Sequence, residues 1–378
     1  MHRIALQTLL FHRAKVAAAL AGVAFATALM IIQIGLYEGL RSRASVLVNR
    51  LGGDLWIMAA GTSMVDDSEL LATGAELPAR AHPCVTSVRP AIVAWVPYRT
   101  PAGARHTLQL VGSDLRTAGP THAYVPWSFA EGLPQDLLAQ DRVAIDDGDL
   151  SRLGLAPPLV GSTLEIAERR VEVRGVTTGI RNVSLIPMVF ADVETARTLA
   201  GAAPDGATYW LVDLADGSCG PSVARAIERD PRLDVMTREE LASVTEEHVV
   251  TESGAGAALA FVALLGLVVG TVIVGQTLLS LVREHHKELG MLRAVGASRS
   301  ELAQFVAWLS AFVAAMGGAL GVILALLVQS GLGGRSVELH YGPGAILTGL
   351  AAVLVMCTVA GAASLASVLR LDVVKVLQ

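Results

Sequence analysis

A chain of 378 residues in which 53% are hydrophobic and only 17% charged is not an ordinary soluble globular protein, where about a quarter of the residues carry charge. A net charge of −5, with 29 basic against 34 acidic residues, excludes a chain built to hold nucleic acid, which would present a basic surface. The balance is also regional: residues 38–253 hold 29 of the 34 acidic and 19 of the 29 basic residues and no lysine, so an acidic soluble domain is joined to a basic membrane unit.

Residues 1–15 set Ile4, Leu6, Leu9, Leu10 and Phe11 among Arg3, Gln7, His12, Arg13 and Lys15. This predicts a cytoplasmic helix lying in the membrane interface, with a frayed basic leader as the alternative. Residues 16–36 form the first of four apolar runs. Its basic start and its small residues Ala24, Ala26 and Ala28 mimic a signal peptide, but it continues through Ile31, Ile32 and Ile34. That is longer than the usual ~7–15 residues of a signal's apolar core, and the expectation is an uncleaved anchor. Residues 37–51 keep Leu40, Ala44, Leu47, Val48 and Leu51 at helical spacing until Gly52-Gly53. They predict a stalk that carries the first span out of the membrane.

Residues 52–237 are expected to form an α+β domain. Short strands are predicted at 54–58, 91–99, 107–111, 142–145, 164–176 and 188–191, separated by Pro-, Gly- and Asp-rich turns. A strand at 208–214, a helix at 221–229 and a strand at 233–236 follow as a β-α-β unit. Residues 238–254 are the second stalk, leading into span two at 255–282. Spans three and four are placed at 302–328 and 345–369. Each run meets or exceeds the ~20 residues needed to cross ~30 Å of hydrocarbon.

The short flanks orient the spans. Arg3, Arg13 and Lys15, then Arg283, Lys287, Arg293 and Arg299, then Arg370 and Lys375 mark the cytoplasmic side, whereas the 329–344 loop has only Arg335. Both termini, the 283–301 segment and the tail 370–378 are thus cytoplasmic, and the acidic domain is outside. Ser330 to Arg335 resembles an ATPase signature superficially and is taken as part of the outer loop. Cys84 and Cys219 lie outside, where a bridge is permitted. No spacing supports one, and they are expected to be unpaired small hydrophobes. Cys357 falls in span four.

No catalytic set emerges. A phosphate-binding loop needs a lysine after glycine, but Lys15, Lys287 and Lys375 follow Ala14, His286 and Val374. His285-His286 with Glu288 lacks metal-ligand spacing, because adjacent helical residues point about 100° apart. Asp146, Asp147 and Asp149 are expected to be a turn and a solvated face. No cofactor or metal is assigned to this chain.

The segment between spans two and three differs from a plain loop. Leu289, Leu292 and Val295 lie on one side of a helical pattern, with Glu284, Lys287, Glu288 and Arg293 on others. Gly296-Ala297-Ser298 ends the pattern. A short amphipathic helix of this kind can dock in a cleft of a soluble partner, the alternative being an ordinary interfacial helix. The run Glu284, Lys287-Glu288-Leu289-Gly290-Met291-Leu292-Arg293-Ala294-Val295-Gly296-Ala297-Ser298 resembles a signature of the FtsX-like permease family, which includes the MacB-type ABC transporters. The ending Arg370-Leu371-Asp372-Val373 to Leu377 is similar to that family's tail, and Asn49 to Trp56 resembles the DevC-like branch.

The resemblance implies an α-helical membrane protein with four transmembrane helices, one plus three, and a large inserted α+β extracytoplasmic domain on helical stalks. It implies the permease subunit of an ABC-type exporter in the bacterial inner membrane. Two copies of a separate ATPase, which would bind the ATP and magnesium, would dock on Glu284, Lys287, Glu288, Leu289, Leu292, Arg293, Gly296, Ala297 and Ser298. A second permease protomer, taken as a homodimer, a periplasmic adaptor and an outer-membrane channel complete the implied assembly, with membrane lipid around it. Such proteins work by mechanotransmission. The alternatives are a transmembrane regulator of a cell-wall hydrolase, and an anchored receptor or enzyme whose outer domain acts alone.

Overall fold

The computed structural model describes residues 13–67, 69–116, 127–180, 186–252, 254–284, 299–332 and 341–369. The chain divides into two compact units, Met1–Gly39 with Gly256–Gln378, and Leu40–Ala255.

Among the described residues, the first unit contains four helices long and apolar enough to cross a membrane. Helix α1 runs without interruption over Arg13–Ala44, so the first predicted stalk begins as part of the same helix as the span. After a turn at Ser45, α2 covers Val46–Leu51, and Gly52 ends it with a positive φ of 73°. Helix α1 is the hub of the span bundle. Its residues Val16, Ala19, Val23, Ala26, Thr27, Ala28 and Ile31 are all buried.

Among the described residues, the second unit is built on ten strands. They are β1 (Leu55–Ala59), β2 (Val85–Arg99), β3 (Arg105–Ser113), β4 (Phe129–Glu131), β5 (Arg142–Asp146), β6 (Thr163–Ile166), β7 (Arg169–Thr177), β8 (Met188–Asp192), β9 (Tyr209–Leu214) and β10 (Leu233–Thr237). Helix α3 (Val193–Ala200) follows β8, and α4 (Gly220–Ile227) joins β9 to β10. One-turn helices lie at Leu77–Arg80 and Leu150–Leu153. Helix α5 is Arg238–Thr251, and the remaining spans are α6 (Ala255–Glu284), α7 (Arg299–Leu332) and α8 (Pro343–Leu369).

The strands run in the order β10-β1-β9-β2-β3-β8-β5-β7-β4, with β6 joining β7 back to β2. The pairs β2–β3, β3–β8, β8–β5, β5–β7, β7–β6 and β6–β2 therefore form a closed ring. Its interior is filled by alternate residues of each strand: Ile92, Val96, Leu108, Leu110, Val143, Ile145, Leu164, Ile166, Val171, Val173, Val189 and Ala191. This is the two-residue period expected of a small barrel. Helix α3 covers it through Val193, Ala196 and Leu199.

Two expectations need correction here. The stretch 164–176 is a hairpin rather than one strand, because Ala167 and Glu168 adopt positive φ values of 49° and 62°. The β-α-β unit is split: β9 and β10 both pair antiparallel to β1, which lies between them. Helix α5 stops at Thr251 and α6 starts at Ala255, with Gly254 at a φ of +70°.

Candidate functional site

Of the residues expected to meet an ATPase, Glu284 is the last residue of α6. Lys287, Glu288, Leu289, Leu292, Arg293, Gly296, Ala297 and Ser298 lie outside the described residues, as do the leader at 1–12, residues 333–340 of the 329–344 loop and the tail at 370–378. The described part of the device is what flanks that segment, together with the far end of the stalks.

On the flanking side, glycines let the spans approach closely. A Cβ on Gly22 would lie 2.7 Å from Cγ2 of Ile273 on α6, and one on Gly317 of α7 would lie 2.6 Å from Cβ of Val23. A Cβ on Gly270 would lie 2.8 Å from Cβ of Ala26 and 2.6 Å from Sδ of Met356 on α8. A Cβ on Gly349 of α8 would lie 2.6 Å from Cγ1 of Ile31, so helix α1 touches all three other spans through positions that admit no larger residue. The opposite side of α6 leaves Phe261, Leu264, Leu265, Val268 and Val272 exposed.

At the far end the stalk helices are part of the outer unit's core. Leu47, Val48 and Leu51 of α2 and Leu241 of α5 belong to one buried cluster with Trp56, Met58, Val111, Phe190 and Tyr209. Helix α5 starts at a capping box: Thr237 Oγ1 accepts from Glu240 N at 3.2 Å, and Glu240 Oε2 accepts from Thr237 N at 2.8 Å. That arrangement fixes where a helix begins. Arg41 Nη2 reaches Glu246 Oε2 at 2.7 Å, tying α1 to α5 at the surface.

The segment after β1, residues 60–67, fastens this stalk pair to both halves of the sheet. Val65 N donates to Thr245 Oγ1 of α5 at 3.2 Å, and Tyr209 Oη of β9 donates to Val65 O at 2.9 Å. Trp95 Nε1 of β2 donates to Asp66 O at 2.9 Å, and Gln109 Nε2 of β3 donates to Asp66 Oδ1 at 2.6 Å. Two adjacent residues therefore connect a stalk, the open sheet and the barrel. Burial raises the Asp66 carboxyl above its ordinary range, and the Gln109 hydrogen bond opposes that rise. Sequence reasoning missed this segment because it has neither helical nor strand periodicity.

Two buried carboxylates of the outer unit hold its backbone together. Asp146 and Asp149, expected on a solvated face, are buried; only Asp147 is exposed. Asp146 accepts from Gly148 N at 3.0 Å and Ile180 N at 3.1 Å, and Asp149 accepts from Met188 N at 3.0 Å. Burial pushes the Asp146 carboxyl up to about 6, against the pull of those backbone donors.

Cys84 and Cys219, expected to be unpaired, form a disulfide that pins the turn before β2 to the start of α4. Their separation of 135 residues hides the pairing from any local pattern. Beside it His82 Nε2 lies 3.4 Å from Ser222 Oγ, but His82 Nδ1 accepts from Cys84 N at 3.3 Å. The proton is therefore on Nε2, and this tautomer cannot serve as the base of a serine nucleophile. Among the described residues, no group of three or more His, Cys, Asp or Glu could hold a metal ion.

Comparison with known proteins covers nearly the whole chain. The profile of the MacB-like periplasmic core domain matches residues 16–230. The FtsX-like permease C-terminal profile matches residues 260–373. The macrolide export ATP-binding/permease protein MacB of Agrobacterium fabrum is 28% identical over 312 residues, 78% of this chain and 47% of that protein. The pyoverdine export ATP-binding/permease protein PvdT of Pseudomonas entomophila is 28% identical over 136 residues, 36% of this chain and 21% of that protein. The chain thus spans less than half the length of these curated relatives. Among solved structures, the periplasmic region of MacB from Actinobacillus actinomycetemcomitans aligns at a TM-score of 0.39 and 12% identity, over 53% of this chain and 95% of that one.

Proposed function

We infer, since this chain belongs to the FtsX-like permease family and carries a MacB-like periplasmic core domain, that it is the permease subunit of an ABC-type exporter. Its matched relatives are named for export and for joint ATP-binding and permease roles. In this reading ATP hydrolysis belongs to an ATPase outside these 378 residues. Two ATPase copies dock on Glu284 and on the 285–298 segment, from the cytoplasmic side that also holds both termini. Two permease protomers pair as a homodimer, and a periplasmic adaptor and outer-membrane channel continue the path.

The mechanism is mechanotransmission: movement imposed on the spans reaches the outer domain through its stalks. The observation that carries this reading is that α1 is one helix from Arg13 to Ala44, and its continuation α2 is buried in the outer unit's core with α5. A flexible tether would dissipate displacement, whereas a helix packed at its end transfers it. The MacB-like core also favours an exporter over a regulator of a cell-wall hydrolase.

The test is co-purification with the ATPase, comparing wild type with Glu288→Arg. Charge reversal within a docking helix is expected to weaken assembly or to uncouple ATP hydrolysis from export. Unchanged assembly and unchanged export would overturn the docking assignment.

A further inference from the structure

Strand β10 is the last strand at one end of the sheet order, and among the described residues it pairs with β1 alone. Ala60 N donates to Arg232 O at 2.9 Å, and Arg238 N donates to Asp54 O at 3.2 Å. Even-numbered residues of β10 therefore direct their backbone groups at β1, and Leu233, Val235 and Thr237 turn theirs outward. Two of these three amides are already engaged: Leu233 N donates to Asp230 O at 3.0 Å, and Thr237 N to Glu240 Oε2 at 2.8 Å. Among the described residues, Val235 keeps both its N–H and its C=O open, beside the outward C=O of Leu233. Two cavities flank this edge on the α4 face of the sheet. One, of about 490 Å³, is lined by Ala59, Leu71, Ala75 and Leu233 and borders Asp230, just past the C-terminal end of α4. The other, of about 580 Å³, is lined by Leu55, Leu214 and Val235 and borders Gly220 and Pro221 at the start of α4. These apolar walls belong to the cluster that α4 closes through Val223 and Ile227. Carboxylates outnumber guanidinium groups in each cavity: Glu69 and Asp230 against Arg232 in the first, and Asp54, Glu239 and Glu240 against Arg238 in the second. Arg232 is held by Asp230 and Arg238 by Glu239, which leaves Glu69, Asp54 and Glu240 as surplus negative charge.

We propose that the β10 edge binds a short, extended, cationic peptide by strand addition, with two basic side chains, four residues apart, reaching the two cavities. Backbone groups and charge together select this occupant. A strand laid antiparallel to β10 exchanges two hydrogen bonds with Val235 and donates a third to Leu233 O. Side chains of an added strand alternate between faces. The residues two before and two after the one opposite Val235 therefore fall on the α4 face, about 14 Å apart. They lie beside Thr237 and Leu233, hence at the two cavities, where the surplus carboxylates favour lysine or arginine. The source is a free peptide rather than a strand of another subunit. A five-residue edge with one open amide falls far short of the roughly 1,200–2,000 Å² that a stable subunit interface buries. A ligand held over so small an area is released again, and on the exporter reading, on which this last step rests, it is cargo.

The experiment uses the full chain in phosphatidylcholine nanodiscs and the fluorescence anisotropy of labelled peptides. No ATPase is present, so a failed edge and a failed exporter reading give different results. The probe Thr-Lys-Thr-Val-Thr-Lys-Thr sets both lysines on the α4 face when its valine is opposite Val235. Thr-Thr-Lys-Val-Lys-Thr-Thr has the same composition and charge with both lysines on the other face. The first should bind about ten-fold more tightly, the factor for two exposed ion pairs of intermediate strength. N-methylation of the probe's valine removes the donor to Val235 O and should weaken binding about two- to twelve-fold. Val235→Pro removes the outward amide and no bond to β1; it should weaken binding at least as much and leave the thermal melt unchanged. The N-methylated probe reads the same pairing in the unaltered chain, whether or not the proline variant folds. Glu69→Lys and, independently, Glu239→Lys should each weaken binding about two- to five-fold. Equal affinity for the two probes, or indifference to N-methylation, would overturn the proposal. So would a disulfide between two copies of Val235→Cys, which would assign the edge to a second protomer.

Discussion

The joint between stalk and outer domain can be tested at a single hydroxyl. Thr245→Val keeps the side chain's shape and removes the acceptor of the Val65 amide, which is fully buried. An unsatisfied buried donor costs about 1–3 kcal/mol. For a unit the size of Leu40–Ala255, each kcal/mol lowers Tm by about 2–4 °C. Because the loss is local, amide exchange is the sharper assay: Val65 should exchange about 5- to 150-fold faster. The peptides carrying Trp95 and Gln109, which hold the neighbouring Asp66, should loosen with it. Thr245→Ser, which restores the hydroxyl, should return most of the protection. If Val65 stays protected in Thr245→Val, or if Thr245→Ser behaves like valine, the hydroxyl is not the link and the joint rests on apolar packing alone.

Other outcomes follow from the same coordinates. Replacing both Cys84 and Cys219 with serine should lower the outer unit's stability by up to about 4–5 kcal/mol, the chain-entropy value for so long a loop; thermal melts with and without reductant check this. Asp146 holds its proton more tightly folded than unfolded, so its contribution is fully present below about 4 and is lost as pH rises through about 6. Melts across that window should show the decline, and Asp146→Asn should flatten it. Gly317→Ala would set a methyl 2.6 Å from Val23 Cβ, and overpacking of this kind costs about 1–3 kcal/mol. A detergent-challenge melt of the span bundle should register that loss, and an unshifted melt would mean α1 and α7 are not in close contact.

Much of this molecule was legible along the chain, and the exceptions share a cause. Four spans declared themselves because an apolar run longer than a bilayer has few other uses, and most strands because Val, Ile and aromatic residues sat between turn formers. What escaped was whatever depended on distant residues. Asp146-Asp147-Gly148-Asp149 has the composition of an exposed turn, and only the arrival of Ile180 and Met188 shows that two of its carboxylates face inward. The Ala167-Glu168 turn lacks glycine, proline and asparagine, so the strands on either side read as one. The 60–67 segment has no period at all, and its role comes from Thr245, Tyr209, Trp95 and Gln109, which local reading cannot bring together. The expected ATPase-facing residues were the reverse case: a clear pattern in the chain, lying almost entirely outside the described residues.

The split arrangement of β1 between β9 and β10 also dictates a schedule for biogenesis. Strand β1 is among the first parts of the outer domain to be synthesised, yet neither of its hydrogen-bonded neighbours exists until residues 209–237 have followed. The barrel strands from Val85 to Asp192 need nothing beyond themselves to close. During translocation the nascent chain must therefore hold Leu55–Ala59 unpaired while a complete barrel forms downstream of it. The stalk core closes only when α5 emerges, immediately before the second span enters the bilayer. Long-range pairing of this sort is slow and exposes unpaired edges in the interval. The last residues of the outer domain to emerge are then the ones that lock the first.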